Sequence, residues 1–272
     1  MFSNPFSELA GVIPASVMQS YVIVMIALVI GGTLFDVVHK GSAKYFFKNW
    51  RKSQDKGTHT VGGGKIAGLA VQTLASEVLT SSEFCNPNRR IAHLLGMYGF
   101  VAYVLASAVM VLWYATPGAE TPGIWPFLWT IGALMVCVGG YWFWFFIRVD
   151  VAAEGNPWWR IVRADLFILS MLGSATFGLL WAWTGSTVLL ILYIIATTVL
   201  FGGVPWSKFS HMFFKPAAAL EKRMSYANGS AMNLPTLSRD DPEQQKRHSM
   251  DLLKDAPMDM GLGIKREDPR HY

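Results

Sequence analysis

The alternation of long apolar stretches with short polar connections divides this chain into five candidate membrane crossings, at 17–38, 91–114, 124–147, 166–183 and 187–204. A helix needs about 20 apolar residues to cross roughly 30 Å of hydrocarbon, and each stretch comes close to that length. The pattern predicts an all-α integral membrane protein with five transmembrane helices and short interfacial helices between them. Residues 1–16 form a lead-in broken by Pro5 and Pro14, and 39–90 form a long polar loop. Within that loop Ile66, Leu69, Leu74 and Val78 recur among small residues, which predicts a short helix lying on the membrane surface. Residues 205–224 read as an amphipathic helix leaving the membrane. Residues 225–272 are polar and contain no sustained apolar period, so this tail is expected to be disordered alone or ordered on a partner through Met250, Leu252, Leu253 and Met258.

Charge decides the orientation. Nine Lys and Arg fall in the loop after the first stretch, three between the third and fourth, and eleven after the fifth, which together account for all 23 in the chain. The amino-terminal lead-in and the two other connections carry none. Positively charged loops stay on the cytoplasmic side, so the amino terminus is placed outside and the carboxyl terminus in the cytoplasm. The expected location is a membrane that borders the cytoplasm. The cations at 40–56 are interleaved with Tyr45, Phe46, Phe47 and Trp50. Directly behind a crossing, that mixture points to anionic lipid headgroups rather than to nucleic acid. The first residues carry no positive cluster, and no cleavable signal peptide is expected.

Composition narrows the chemistry. Hydrophobic residues make up 52% and charged residues 15%, against about 25% charged in an average soluble domain. Cys85 and Cys137 stand far apart and form no metal-ligand spacing. Gly62, Gly63 and Gly64 read as a hinge, since no GK[ST] follows in phosphate-loop register. Gly31–Gly32 and Gly139–Gly140 suggest close helix packing. No nucleophile-and-base set for hydrolysis is present. The chain is not expected to be catalytic alone.

Ionisable residues near the membrane are therefore the candidates for function. His39, His93 and His211 lie at the inner ends of the first, second and fifth stretches. Two of them facing one cavity would suit a b-type haem; otherwise they mark helix ends, as the surface spacing of Lys208, His211 and Lys215 suggests. Glu77 beside His39, or Asp36 beside Arg89 and Arg90, would offer a proton-exchanging group next to a quinone headgroup, whose reduction consumes two protons. An ion pair with a purely structural role is the competing reading.

The stretch Ser76-Glu77-Val78-Leu79-Thr80-Ser81-Ser82-Glu83-Phe84-Cys85, followed by Arg89-Arg90-Ile91-Ala92-His93-Leu94-Leu95-Gly96-Met97-Tyr98-Gly99-Phe100, resembles the membrane subunits of dissimilatory sulfur enzymes. Those include the cytochrome b subunit of heterodisulfide reductase and the membrane subunit of the quinone-interacting oxidoreductase complex. The ending Pro205-Trp206-Ser207-Lys208-Phe209-Ser210-His211-Met212-Phe213-Phe214-Lys215-Pro216 is similar to the same group, and the five-crossing plan is similar to the gamma subunit of respiratory nitrate reductase. The short form without an iron–sulfur domain resembles the membrane anchor of adenylylsulfate (APS) reductase. The resemblance implies docking of the cytoplasmic flavin and iron–sulfur subunits (alpha and beta) and passage of their electrons to quinone. It also implies haem-ligand positions at His93 and His211. The further histidines of a two-haem subunit are absent, which leaves one haem b or none. The alternatives are a haem b subunit of another heterodisulfide reductase-like complex and a redox-inactive scaffold.

Overall fold

The computed structural model describes residues 3–39, 41–82, 84, 86–148, 159, 161–162, 165–204, 211–232 and 234. Among these residues all regular structure is helical. In chain order the helices are α1 (Pro5–Leu9), α2 (Ala15–His39), α3 (Ser42–Asp55), α4 (Gly63–Thr73), α5 (Pro87–Tyr114), α6 (Ile124–Trp142), α7 (Leu166–Thr184), α8 (Thr187–Gly202) and α9 (His211–Ala227). Helix α4 continues as a wider π-helical segment over Leu74–Leu79, and α6 does the same over Phe143–Ile147.

Among the described residues, four helices are long and apolar enough to cross a bilayer: Ala15–His39, Pro87–Tyr114, Ile124–Ile147 and Leu166–Thr184. The chain is a multi-pass helical membrane protein. The fifth apolar helix, Thr187–Gly202, has 16 residues and falls just short of the length that spans an average bilayer untilted. Large apolar side chains cover its exterior and that of the other long helices, among them Ile23, Leu34, Val138 and Ile195. Lipid tails supply the environment such a surface requires. Trp113 and Trp183 sit strongly exposed near the ends of α5 and α7 that carry no cations, where an aromatic belt meets the headgroups.

The chain divides into two units. The first, Met1–Ala43 with Pro87–Phe214, holds the long helices. Its α5 and α6 touch backbone to backbone. A Cβ added at Gly132 would lie 2.6 Å from the Tyr103 amide nitrogen, and one at Gly99 would lie 2.7 Å from the Gly132 carbonyl. Gly139 makes the same approach at Ala92, 2.7 Å from its carbonyl, while Gly140 meets the Leu172 side chain at 2.6 Å. Without a hydrophobic drive between helices in lipid, such small-residue contacts are how helices gain packing. Gly139 and Gly140 therefore act as expected, whereas Gly31 faces open space. Helices α7 and α8 form a hairpin whose tight turn uses Gly185 at φ 67°, a left-handed conformation that glycine adopts without strain.

The lead-in is more than an interfacial approach. Asn4 accepts from the Phe6 amide at 3.0 Å, capping α1, and its side-chain amide donates to the Tyr114 carbonyl and to Thr121 Oγ1, each at 3.0 Å. That anchor drives Phe6 into the bundle, edge-on to Trp129 with ring centroids 6.1 Å apart and tilted against Trp181 at 5.7 Å. By contrast α2 is loosely enclosed. Only 11% of its apolar window is buried, against 28%, 33% and 39% for the other three long helices. Its polar ties are Gln19 to the Leu112 carbonyl at 3.1 Å and Tyr21 to Thr198 at 2.9 Å.

The second unit combines Lys44–Asn86 with Lys215–Tyr272. The stretch of interleaved cations and aromatics is helical here, as α3. Asn49 and Ser53 are buried, while Lys44, Lys48, Arg51 and Lys52 are exposed with Tyr45 and Phe47. The segment 65–79 is helical as expected, within α4 and its π-helical continuation. The predicted helix at 205–224 corresponds to α9, although 205–210 lie outside the described residues.

The beginning of the predicted tail is fixed rather than free. Asn228 is fully buried and donates to the Ser53 carbonyl at 3.0 Å, while its own carbonyl accepts from the Thr58 amide at 2.8 Å. Ser53 Oγ lies 3.0 Å from both Ser225 Oγ and Ser230 Oγ. Polar residues that look like a solvated tail in the sequence thus satisfy one another around the last turn of α9. The remainder of the tail, 235–272, lies outside the described residues.

Candidate functional site

The predicted site residues separate according to burial and partner. Arg89 and Arg90 stand in the first turn of α5, both half-buried. Cations at a helix amino terminus oppose the helix dipole, at a cost of about 0.3–1 kcal/mol each. Their position there is explained by the membrane boundary and not by helix stability. His93 follows one turn later and is half-buried. Its neighbour Ala92 is 4% exposed and is the residue that Gly139 touches. The backbone carrying His93 is thereby held against α6.

Asp36 sits in the last turns of α2 and is only 2% exposed. A carboxylate buried at that point lacks the support of the helix dipole, whose negative end is nearby. Thr33, one turn earlier on α2, has a buried hydroxyl with no hydrogen-bond partner among the described residues. Asp36 is the carboxylate of α2 and remains the acid/base candidate of the first unit.

His39 is exposed and stacks flat on Phe35 of its own helix, with centroids 5.2 Å apart and planes 8° from parallel. That surface position suits a helix end and is unsuited to ligating a buried haem. His211 opens α9, and its side chain lies outside the described residues. Of the three candidate imidazoles, His93 is the one with a described and half-buried position. Among the described residues, no group of three or more His, Cys, Asp or Glu is arranged to hold a metal ion.

Glu77 belongs to a different constellation from the one its spacing suggested. Its Oε1 accepts from Arg223 at 2.7 Å and from Ser76 Oγ at 3.2 Å, and Arg223 also donates to Ser76 Oγ at 2.7 Å. The π-helical widening over Leu74–Leu79 carries Ser76 and Glu77 together, and such local insertions often mark functional positions. On α9, burial pushes the Glu221 carboxyl up from its ordinary range. Burial also lowers the Lys222 ammonium, an effect that the nearby Glu77 carboxylate partly opposes.

A second charge pair was not foreseen. Arg148, at the end of α6, pairs with Asp165 at the start of α7 and lies 3.9 Å above the Trp144 ring. Asp165 also accepts from the Val162 amide at 2.9 Å. A desolvated arginine that is both paired and stacked is strongly held, and it fixes the charged end of the α6–α7 connection.

The feature least visible in the sequence is a cavity of about 360 Å³ in the first unit, bordered by α1, α2, α5, α7 and α8. Its walls are aliphatic and aromatic. The polar groups it contains are the hydroxyls of Tyr21, Ser107, Tyr103, Ser174, Tyr193 and Thr197. Tyr103, Ser174 and Thr197 are linked in a chain: Tyr103 donates to the Ser174 carbonyl at 3.1 Å, Ser174 Oγ lies 3.1 Å from Thr197 Oγ1, and Thr197 donates to the Tyr193 carbonyl at 2.8 Å. Tyr103 is ten residues beyond His93 on α5, roughly 15 Å along the helix axis. The lining contains no Lys, Arg, Asp, Glu or His.

Comparison with protein-family models, curated proteins and solved structures finds no match to this chain. The geometry and the chemistry of its residues therefore carry the functional argument.

Proposed function

We propose that this chain is the membrane anchor and electron-transfer subunit that links a cytoplasmic adenylylsulfate reductase, acting in sulfur oxidation, to the quinone pool of a bacterial inner membrane. In this reading five helices cross, with the amino terminus outside, and the second unit faces the cytoplasm as a platform for the flavin and iron–sulfur subunits. The observation that carries it is the gathering of cations on built elements of one unit. Exposed Lys44, Lys48, Arg51 and Lys52 line α3, and the Ser53–Asn228 clamp and Glu77–Arg223 pair brace the segments around it. A braced, basic and aromatic surface suits anionic headgroups together with an acidic protein partner.

The resemblance in 76–100 and 205–216 supplies the identity of that partner. Haem b is not required for this reading, because docking of the soluble subunits and binding of quinone do not depend on it. Should His93 and His211 nevertheless ligate one haem, pyridine haemochrome analysis of the purified chain would detect it.

The direct test is co-expression with the two soluble subunits, followed by isolation of membranes. Sulfite and AMP should drive quinone reduction only in membranes that contain this chain, and the soluble subunits should sediment with it. Soluble subunits that remain in the supernatant, with no quinone reduced, would refute the proposal.

A further inference from the structure

From the hydroxyl-lined cavity beside α2 we infer that the first unit holds a binding site for a neutral isoprenoid quinone within the bundle, remote from the charged residues at the inner helix ends. This inference rests on the proposed quinone partner and adds the place and manner of its binding. The cavity volume of about 360 Å³ falls in the range of small-molecule sites, roughly 300–1,000 Å³. A lining without any charged side chain rejects an ionic headgroup, whose burial without a partner is costly. Its ligand must be mainly hydrocarbon with a few neutral polar atoms.

The inner wall selects further. Tyr193 is stacked on Trp181 with centroids 5.7 Å apart and planes 12° from parallel, and Tyr103 lies against Trp129 at 5.6 Å. Around the Tyr193 hydroxyl stand those of Tyr103, Thr197 and Ser107. Most of these protons are already committed: Ser107 donates to the Tyr103 carbonyl at 2.8 Å, Thr197 to that of Tyr193, and Tyr103 to that of Ser174. The Tyr193 hydroxyl can turn its proton to a ligand carbonyl, and the oxygen lone pairs around it can accept from a ligand hydroxyl. A quinone ring, which exchanges carbonyl for hydroxyl on reduction, can be held there in both states. The aliphatic walls that run along α2 past Val22, Met25 and Val29 then suit an isoprenoid tail. Loose enclosure of α2 gives that tail an entrance from the bilayer. An acyl chain would fill the aliphatic part but would leave the hydroxyl cluster without a purpose.

The test uses the purified full-length chain in phospholipid nanodiscs, with decylubiquinone as probe. Trp181 and Trp129 beside the cavity report binding through fluorescence quenching, which should saturate. Ala108→Phe, which fills the cavity from α5, should weaken binding at least tenfold. Tyr193→Phe keeps the stacking on Trp181 and removes one hydrogen bond, so it should weaken binding by about two- to tenfold. Photolabelling of the wild-type chain with an azidoquinone should place the adduct on the helices that border the cavity, α1, α2, α5, α7 or α8, a result independent of whether a variant folds. Saturable binding that Ala108→Phe leaves unchanged, or adducts confined to other helices, would overturn this site while leaving quinone reduction by the complex intact. A wild-type chain that binds no quinone but retains a phospholipid released by Ala108→Phe would also overturn it. If partner-driven quinone reduction is absent as well, the proposed function falls with it.

Discussion

Replacing Gly132 by alanine tests the central contact of the bundle. The added methyl would stand 2.6 Å from the Tyr103 amide nitrogen, 2.7 Å from the Gly99 carbonyl oxygen and 3.1 Å from the Tyr103 Cα. All three neighbours are backbone, so no side chain can swing away. Helices α5 and α6 must separate by a sizeable fraction of an ångström, and in a close-packed interior such overpacking costs about 1–3 kcal/mol. Alanine also raises helix propensity by as much as about 1 kcal/mol over glycine, which works in the opposite direction. Gly31→Ala supplies the control, because no atom lies within 4 Å of the methyl it would add. Thermal unfolding in detergent, followed by circular dichroism and tryptophan fluorescence, compares the two. Gly132→Ala should unfold at lower temperature than wild type, and Gly31→Ala at the same or a higher temperature. Equal transitions for the two variants would refute the close backbone approach of α5 and α6.

Other consequences can be measured separately. Asn228→Ala removes the side-chain amide that donates to Ser53 and accepts from the Ser230 amide and leaves buried partners unsatisfied, a loss of about 1–3 kcal/mol; faster proteolysis within 44–86 should report it. Glu221 has a raised carboxyl pKa from burial, so folding stability is fuller while it is protonated and declines as pH rises from the ordinary carboxylate value through the raised one. Glu221→Gln should remove that decline, and a stability–pH curve over this window that is unchanged by the substitution would contradict the assignment. Reporter fusions after Ala119 and after Tyr272 should indicate opposite sides of the membrane; the same side for both would break the proposed orientation.

The long helices were legible because crossing a bilayer imposes a length and a composition that few other structures require. Their observed limits differ from the expected ones by a few residues, and α6 ends at Ile147 where the sequence placed it. Short elements escaped for an equally physical reason. Five residues between prolines carry no helical period, yet the Asn4 cap and the Phe6 contact with two tryptophans make α1 part of the core. Ser225, Asn228 and Ser230 looked like solvated tail because polarity alone cannot distinguish a residue bonded to water from one bonded to Ser53. Glu77 illustrates the same limit in the site. Acid/base chemistry suggested pairing it with His39, whereas it accepts from Arg223, 146 positions away on α9.

The cavity shows why the inner histidines drew attention first. An ionisable residue near a membrane stands out in a sequence, because its burial is expensive and its type is rare. Hydroxyls do not stand out, since Ser and Thr in apolar helices usually return their proton to the carbonyl four residues earlier, as Ser107 and Thr197 do here. What makes Tyr103, Ser174, Tyr193 and Thr197 a site is their convergence from three helices, and that depends on how α5, α7 and α8 are rotated against one another. The small residues decide this rotation: Gly132 lets α6 approach the backbone at Tyr103, and Gly178 leaves 3.0 Å between an added methyl and the Tyr103 hydroxyl. Gly132 and Gly178, which the sequence reading did not single out, are thus what allows the tyrosine of α5 to reach the hydroxyls of α7 and α8. A larger residue at either glycine should therefore disturb the cluster before it disturbs the crossings themselves.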